Sequence, residues 1–248
     1  MRLAVAGALG ALTACAPGSS AKTPAGAPAA DTGGADSAAP DTGAAGIPVY
    51  GEVVDAFSRA PVAGVRAWDA AHPAVEARSD ANGRWSLAVA SPGRFHLGSA
   101  GEGLLPFDAW ISTAEAADPA APYAYALGTA AQLEMLAAQA GSSADLTQTA
   151  LIFVDAISPE GHDIGGATVT LDAAYEAAYR EVAPGVWDNE PLTTEDRADL
   201  LFLGVAPGPV QFSVTAPGGA ACEVPGDVVV APQRLIQVSA YCPGSAAR

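Results

Sequence analysis

The 248-residue chain has room for one large domain or two small ones, since about 150 residues per domain is the norm. Its 27 Asp and Glu against 11 Lys and Arg give a net charge of −16, which argues against a nucleic-acid binder, because a phosphate backbone rewards clustered cations. The hydrophobic share of 50% is inflated by Ala, and three Cys, three His and four Trp leave few groups for metal or redox chemistry.

At the amino terminus, Met1-Arg2 precede an apolar run over residues 3–12. That run is too short for a hydrocarbon core, which takes roughly 20 helical residues. One positive charge, a short apolar core and small residues after it form the pattern of a cleaved export signal. The tetrad Leu12-Thr13-Ala14-Cys15 resembles the lipobox of bacterial lipoproteins. The resemblance implies that Cys15 becomes the acylated first residue of the mature protein, making a membrane its first partner. Two acyl chains would hold it stably, at about 0.8 kcal/mol per buried CH2. Ala16, standing where an Asp would retain such a protein, implies delivery to the outer membrane in a two-membrane host. The competing reading is an ordinary secretory signal with an incidental Cys. With Cys15 so used, Cys222 and Cys242 remain as an even pair in an exported chain, and a disulfide between them is expected. The alternative is two free buried thiols.

Residues 16–46 contain no Val, Ile, Leu, Met or aromatic residue. Such a segment cannot offset the roughly 1–2 kcal/mol per residue that ordering a backbone costs. A flexible tether spanning roughly 30 Å is expected. Within it, Asp31-Thr32-Gly33 and Asp41-Thr42-Gly43 copy the triplet of aspartic proteases, whose carboxyls must face each other on rigid strands to share a proton. Nothing here could hold them so, and they read as solvated polar residues.

From Ile47 the texture changes to short β-branched and aromatic runs between Gly and Pro turns, the signature of an all-β sandwich. Seven strands are predicted near residues 49–55, 61–68, 75–78, 84–89, 93–99, 105–111 and 123–127. Asn82-Gly83 predicts a hairpin, because both residues tolerate positive φ. Thr129-Ala130-Ala131-Gln132 is a capping-box pattern opening one helix of about three turns, with Leu133, Leu136, Ala137 and Ala140 on its packing face.

A second unit then repeats the first. Phe153-Val154-Asp155 answers Val53-Val54-Asp55 at a spacing of 100, and Gly165-Gly166-Ala167 answers Ala63-Gly64-Val65. Further on the offset settles at 115, pairing Ser79 with Thr194, Trp85 with Leu200 and Leu97 with Phe212. A diverged duplication follows from that constancy. Its extra residues fall between Leu171 and Thr194.

The framework Gly51-x-Val53-Val54-Asp55, Pro61-Val62-x-Gly64-Val65, Asp80-x-Asn82-Gly83-x-Trp85-x-Leu87 and Pro92-Gly93 resembles carboxypeptidase regulatory-like domains. The second unit matches less well, since Thr194-Glu195-Asp196-Arg197-Ala198-Asp199 replaces the Asn-Gly turn. The resemblance implies two seven-stranded transthyretin/Ig-like β-sandwiches, over residues 47–127 and 150–248, joined by a helical linker over 128–149. Residues 1–14 form the signal and 15–46 the lipidated tether. It also implies a non-catalytic structural or adhesive role.

Chemistry is sparse. His72, His96 and His162 lack metal-ligand spacing, and there is neither a phosphate loop nor a serine elbow, so no metal, no cofactor and no catalytic residue is expected. Asp155, Asp163 and Asp172 could supply oxygens to Ca²⁺ at a loop end, although no EF-hand-like string is present. A carboxylate-pair hydrolase would need two carboxyls about 5–9.5 Å apart across a cleft. The binding candidates are aromatic: Trp68, Trp110, Tyr175, Tyr179 and Trp187, which can stack sugar rings or anchor a protein, unless they are needed in the cores. The expected protein is a lipid-anchored envelope scaffold or adhesion module. The second reading is a polysaccharide-binding module using the aromatics of the second unit.

Overall fold

A computed structural model describes residues 46–243, apart from 91, 140, 159–161, 184–185, 189–192, 195–198 and 227. Cys15, the tether and both Asp-Thr-Gly triplets lie outside the described residues, as do Ala140 of the helix and 195–198 of the replaced turn.

The first half forms all seven expected strands: β1 (Ile47–Asp55), β2 (Arg66–Asp69), β3 (His72–Arg78), β4 (Arg84–Val89), β5 (Arg94–Ala100), β6 (Phe107–Ser112) and β7 (Tyr123–Leu127). Alternation decides which side is buried. In β4, Trp85, Leu87 and Val89 point inward while Arg84, Ser86 and Ala88 face out. The strands divide into a three-stranded sheet of order β4-β1-β7 and the run β3-β2-β5-β6. Between them lies a core that includes Val53, Trp85, Leu97, Phe107 and Tyr125. Asn82-Gly83 does not close a hairpin within a sheet, because β3 and β4 belong to different sheets. It turns the chain from one layer to the other. Only Gly83 takes positive φ, at 75°, and a Cβ there would come within 2.3 Å of the Val53 carbonyl oxygen. The Asp80 carboxylate makes the corner by accepting the N–H groups of Asn82 and Arg84.

The second half comprises β8 (Ala150–Ile157), β9 (Thr168–Leu171), β10 (Ala177–Ala183), β11 (Val186–Asp188), β12 (Asp199–Val205), β13 (Gly208–Val210), β14 (Phe212–Thr215), β15 (Val228–Val230) and β16 (Arg234–Tyr241). Its order β12-β8-β16 repeats β4-β1-β7, with the same antiparallel and parallel neighbours. The β9–β14 register, in which Leu171 faces Phe212, repeats Asp69 facing Leu97 between β2 and β5. The counterpart of β5 is broken into β13 and β14. The insertion supplies β10 and β11, which extend the sheet beyond β12, and no described strand flanks β9 as β3 flanks β2, so the described residues of this half form nine strands where seven were expected.

One clasp occurs in both halves. The Ser79 hydroxyl donates to the Val62 carbonyl at 2.7 Å and accepts from Val65 N–H at 2.9 Å. Thr194 does the same to the Ile164 carbonyl at 2.7 Å and from Ala167 N–H at 2.9 Å. Main-chain bonds from Gly64 to Ser79 and from Gly166 to Thr194 complete each clasp, with both glycines at positive φ, 76° and 82°. The pairing of Ser79 with Thr194 is therefore physical. The spacing of 100 is not: Val62 N–H donates to Val53 and Ile164 N–H to Ala156, so Val53 answers Ala156 and the spacing is 103.

The helix α1 (Ala130–Gln139) is capped as expected, Thr129 N–H donating to Gln132 Oε1 at 2.8 Å and Gln132 N–H to Thr129 Oγ1 at 3.2 Å. Leu133 and Ala137 are buried against the first core. The helix is not the principal joint between the halves. β16 pairs in parallel with β6, from Leu235 opposite Phe107 to Val238 opposite Trp110, giving one nine-stranded sheet of order β11-β10-β12-β8-β16-β6-β5-β2-β3. Leu235 joins the first core with Leu151, Phe153 and Leu201; Ile236, Val238 and Ala240 join the second. The layer β4-β1-β7 thus covers one face of the long sheet, and the strands β9, β13, β14 and β15 cover the opposite face of its other half. The Cys222–Cys242 disulfide fastens the end of β16 to the loop after β14.

Each clasp hydroxyl serves two buried main-chain groups. Ser79→Ala and Thr194→Val are each expected to cost about 1–3 kcal/mol in urea unfolding, and Thr194→Ser well under that, because it keeps the hydroxyl.

Candidate functional site

The five aromatic candidates do not gather in one place. Tyr179, on β10, is 8% exposed and belongs to the first core with Leu201 and Leu203, so its expected role in ligand contact is corrected to packing. Tyr175 is 37% exposed, its ring set edge-on to Phe202 with centroids 5.1 Å apart. Trp187 lies on β11 opposite Glu181, and its side chain is outside the described residues. Among the described aromatic side chains of the insertion, Tyr175 is the exposed one.

Trp68 and Trp110, by contrast, share a face. On β2 and β6, residues with the parity of Ala67, Phe107 and Ala109 point into the core, which sends Trp68, Asp108 and Trp110 to the other side. No second layer of described strands covers that side over β2, β5 and β6, and Arg66, Trp68, His96, Asp108 and Trp110 are all partly exposed there. Trp68 sits across from Gly98 and over its backbone; a Cβ on Gly98 would lie 2.3 Å from the indole. Trp110 faces His96 across the ladder, their rings stacked with centroids 4.1 Å apart and 14° between planes. Charged groups frame the rings. Arg234 Nη1 donates to Asp108 Oδ2 at 2.7 Å, the guanidinium of Arg66 lies over the face of the Trp68 ring, 4.7 Å from its centroid, and Arg66 Nε donates to Glu76. Trp110 also packs on the second core, so the face ends in a step where the layer of the second half begins.

The opposite face carries a feature that the sequence reading missed. Asp155 on β8 stands directly across from Asp199 on β12, and Glu181 on β10 continues the row. Gln237 donates to Asp155 and accepts from the Tyr123 hydroxyl at 2.9 Å. Burial, with the other carboxylates nearby, lifts the Asp155 carboxyl to about 6 and Asp199 well above the ordinary range. Burial also raises Glu115, although Tyr241 and the Ser112 N–H donate to it. The readable signal was a lone Asp inside the apolar run of β8.

Asp172 accepts the Gln211 N–H at 2.7 Å on the β9–β14 side, away from Asp155. The Ca²⁺ triplet is thus not assembled, and among the described residues no three His, Cys, Asp or Glu side chains are grouped to hold a metal. His72 contacts the Asp69 carboxylate at 2.9 Å.

No family model matches the chain, and no curated protein does. Among solved structures it is similar to the minor pilin GBS52 of Streptococcus agalactiae, with 8% identity over 81% of this chain and 99% of that one, at a TM-score of 0.26. It is also similar to the shaft pilin SpaA of Lactobacillus rhamnosus GG, with 10% identity over 82% and 100% at 0.25. The Bacillus anthracis TIE protein matches at 10% identity over 80% and 34%, also at 0.25. Likeness at this level carries no functional argument.

The raised carboxyls give a signed pH dependence. A carboxyl whose folded pKa exceeds its unfolded value stabilises the fold while protonated; for Asp155 that contribution is whole below about pH 4 and lost as pH rises through about 6. Thermal unfolding should give a higher Tm at pH 5 than at pH 7.5. Asp199→Asn should raise the Tm at pH 7.5 and shrink the difference.

Proposed function

We propose that this protein is a non-catalytic envelope scaffold, acylated at Cys15, carried on the tether of residues 16–46, and presenting two transthyretin-like sandwiches related to carboxypeptidase regulatory-like domains in a structural or adhesive role. The observation that carries the reading is the Cys222–Cys242 disulfide, because such bonds persist in oxidising, extracytoplasmic compartments. The export signal and the lipobox-like tetrad point to the same address. The shared nine-stranded sheet supports the mechanical part: it couples the halves through main-chain hydrogen bonds and through apolar side chains on both faces of β16.

The arrangement of carboxylates supports a role without catalysis. Asp155 and Asp199 are cross-strand neighbours on one sheet face, whereas glycosidic cleavage places two carboxyls on either side of a bound sugar. In the second reading, the aromatics of residues 172–193 bind polysaccharide; it loses Tyr179 to the core.

Cys15→Ser should move the protein from the detergent-soluble membrane fraction to the aqueous one; retention in the membrane fraction would count against lipidation. Reduction of Cys222–Cys242 should lower stability by about 3 kcal/mol in urea, since the bond closes a loop a little longer than 15 residues.

A further inference from the structure

We infer that the seam between the β4-β1-β7 layer and the long sheet is a proton-operated latch, which holds while Asp155 and Asp199 share a proton and lifts along β7 once both are ionised. It depends on neither acylation nor a ligand; a structural joint answers to pH. The ladder fixes the carboxyl pair. β8 and β12 are each paired on both sides, and their register sets Asp155 directly across from Asp199. The two carboxyls are hydrogen-bonded to each other, which requires a proton between them. When that proton leaves, the strands hold the like charges opposite one another. Other carboxylates add to the repulsion: Glu181 on β10 and Asp163 after β8 act on Asp199, and Asp163 and Glu115 act on Asp155.

The side that faces the pair is softer. β7 is the edge strand of its layer, laddered to β1 alone. Tyr123, at its start, donates to Gln237 Oε1 at 2.9 Å, and Gln237 Nε2 donates to Asp155, so one side chain of β16 joins the edge of the layer to the pair. Tyr125, next on the same face of β7, is engaged elsewhere, its hydroxyl 2.9 Å from that of Ser99. The connection from β6 to β7 is fastened by Glu115, which accepts from Tyr241 on β16, and by the Ala116 carbonyl, which accepts from Tyr50 N–H of β1. Arg94, over the Tyr241 ring, favours an ionised Glu115. Ionisation thus puts like charge on both sides of the seam, Glu115 on the layer's connection and the aspartate pair on the sheet.

Asp155, Asp199, Glu115 and Tyr123 are all half-buried, deep enough to disfavour charge and still within reach of solvent protons. A second charge on the pair calls for water. Lifting Tyr123 off Gln237 admits it at the loss of one hydrogen bond, with the β1–β7 ladder intact. Because the folded carboxyls are raised, the latch is fully closed below about pH 4 and gives way as pH rises through about 6, the value for Asp155.

Hydroxyl-radical footprinting of the full-length protein at pH 5 and pH 7.5, read by mass spectrometry, tests the latch, with Tyr175 as an exposed internal standard and Tyr179 as a buried one. Relative to Tyr175, Tyr123 should be modified about tenfold faster at pH 7.5, the shift that one pKa unit of linkage gives, while Tyr179 stays protected. Asp199→Asn and Asp155→Asn each remove one charge of the pair and keep a hydrogen-bonding group, so in either variant Tyr123 should stay slow at both pH values. Asp172→Asn, away from the row, should keep the response of the unmodified protein. Equal modification of Tyr123 at the two pH values, a rise that Tyr179 shares, or a response that persists in both Asp199→Asn and Asp155→Asn would overturn the latch. None of these results bears on membrane anchoring, which the Cys15→Ser fractionation tests separately.

Discussion

The structure depends on one parallel pairing, β16 against β6. β16 is the last of the described strands, and it serves both cores: Leu235 closes one, on the face that also carries Gln237 and Ser239, while Ile236, Val238 and Ala240 close the other. Its two ladders are both parallel, to β6 on one side and to β8 on the other. Parallel neighbours cannot be joined by a tight turn, so every one of these contacts is distant in sequence. Neither core is complete until the carboxyl-terminal strand arrives. The disulfide at Cys242 then fixes the end of that strand against a loop of its own half. Because both halves share the strand, the molecule is better described by its long sheet and two staggered cover layers than as beads on a helical link.

Much of the first half was legible because its strands have one wet side. The alternation in β4 and the Gly and Pro turns place all seven strands within a few residues. The repeat was legible where small, specific groups make it: Ser79 and Thr194 are both short hydroxyl residues because each must reach a carbonyl and receive an N–H within a tight corner. The register of β1 against β8 was not. β8 is buried on both faces, so no alternation pins it, and Val-Val-Asp aligned with Phe-Val-Asp by residue type alone. Three residues is an odd slip, and it exchanges the two faces. In the structure Asp155 occupies the place of Glu52, not of Asp55. The β6–β16 joint was equally hidden, since parallel pairing leaves no local turn signal.

The carboxylate row shows why polar residues in buried strands are informative. Asp155 and Asp199 face each other at adjacent ladder positions, where like charges repel, and burial raises the cost further. Sharing a proton relieves both costs. Gln237 and Tyr123 then extend the hydrogen-bonded chain from Asp155 toward β7 of the first half, so the row also ties the cover layer to the long sheet. A structural account suffices for it.

The aromatic face is built from packing contacts as well. The first half uses one device twice, a Trp set across the ladder from a Gly so that the indole lies against bare backbone. At Trp85 and Gly51, where an added Cβ would come within 2.0 Å of the ring, the indole points inward and helps fill the core. At Trp68 and Gly98 the same geometry points outward. A glycine in a strand interior costs about 0.5–1 kcal/mol relative to Ala. At Gly51 the packed core offsets that cost, and at Gly98 the indole of Trp68 lies on the bare backbone with the Arg66 guanidinium over its ring. What the outward pair gains is an indole held between backbone and guanidinium on a face that no described strand covers. The stack of glycine backbone, indole and guanidinium thus shields the β2–β5 ladder on the side away from the first core, where the covering is made of side chains.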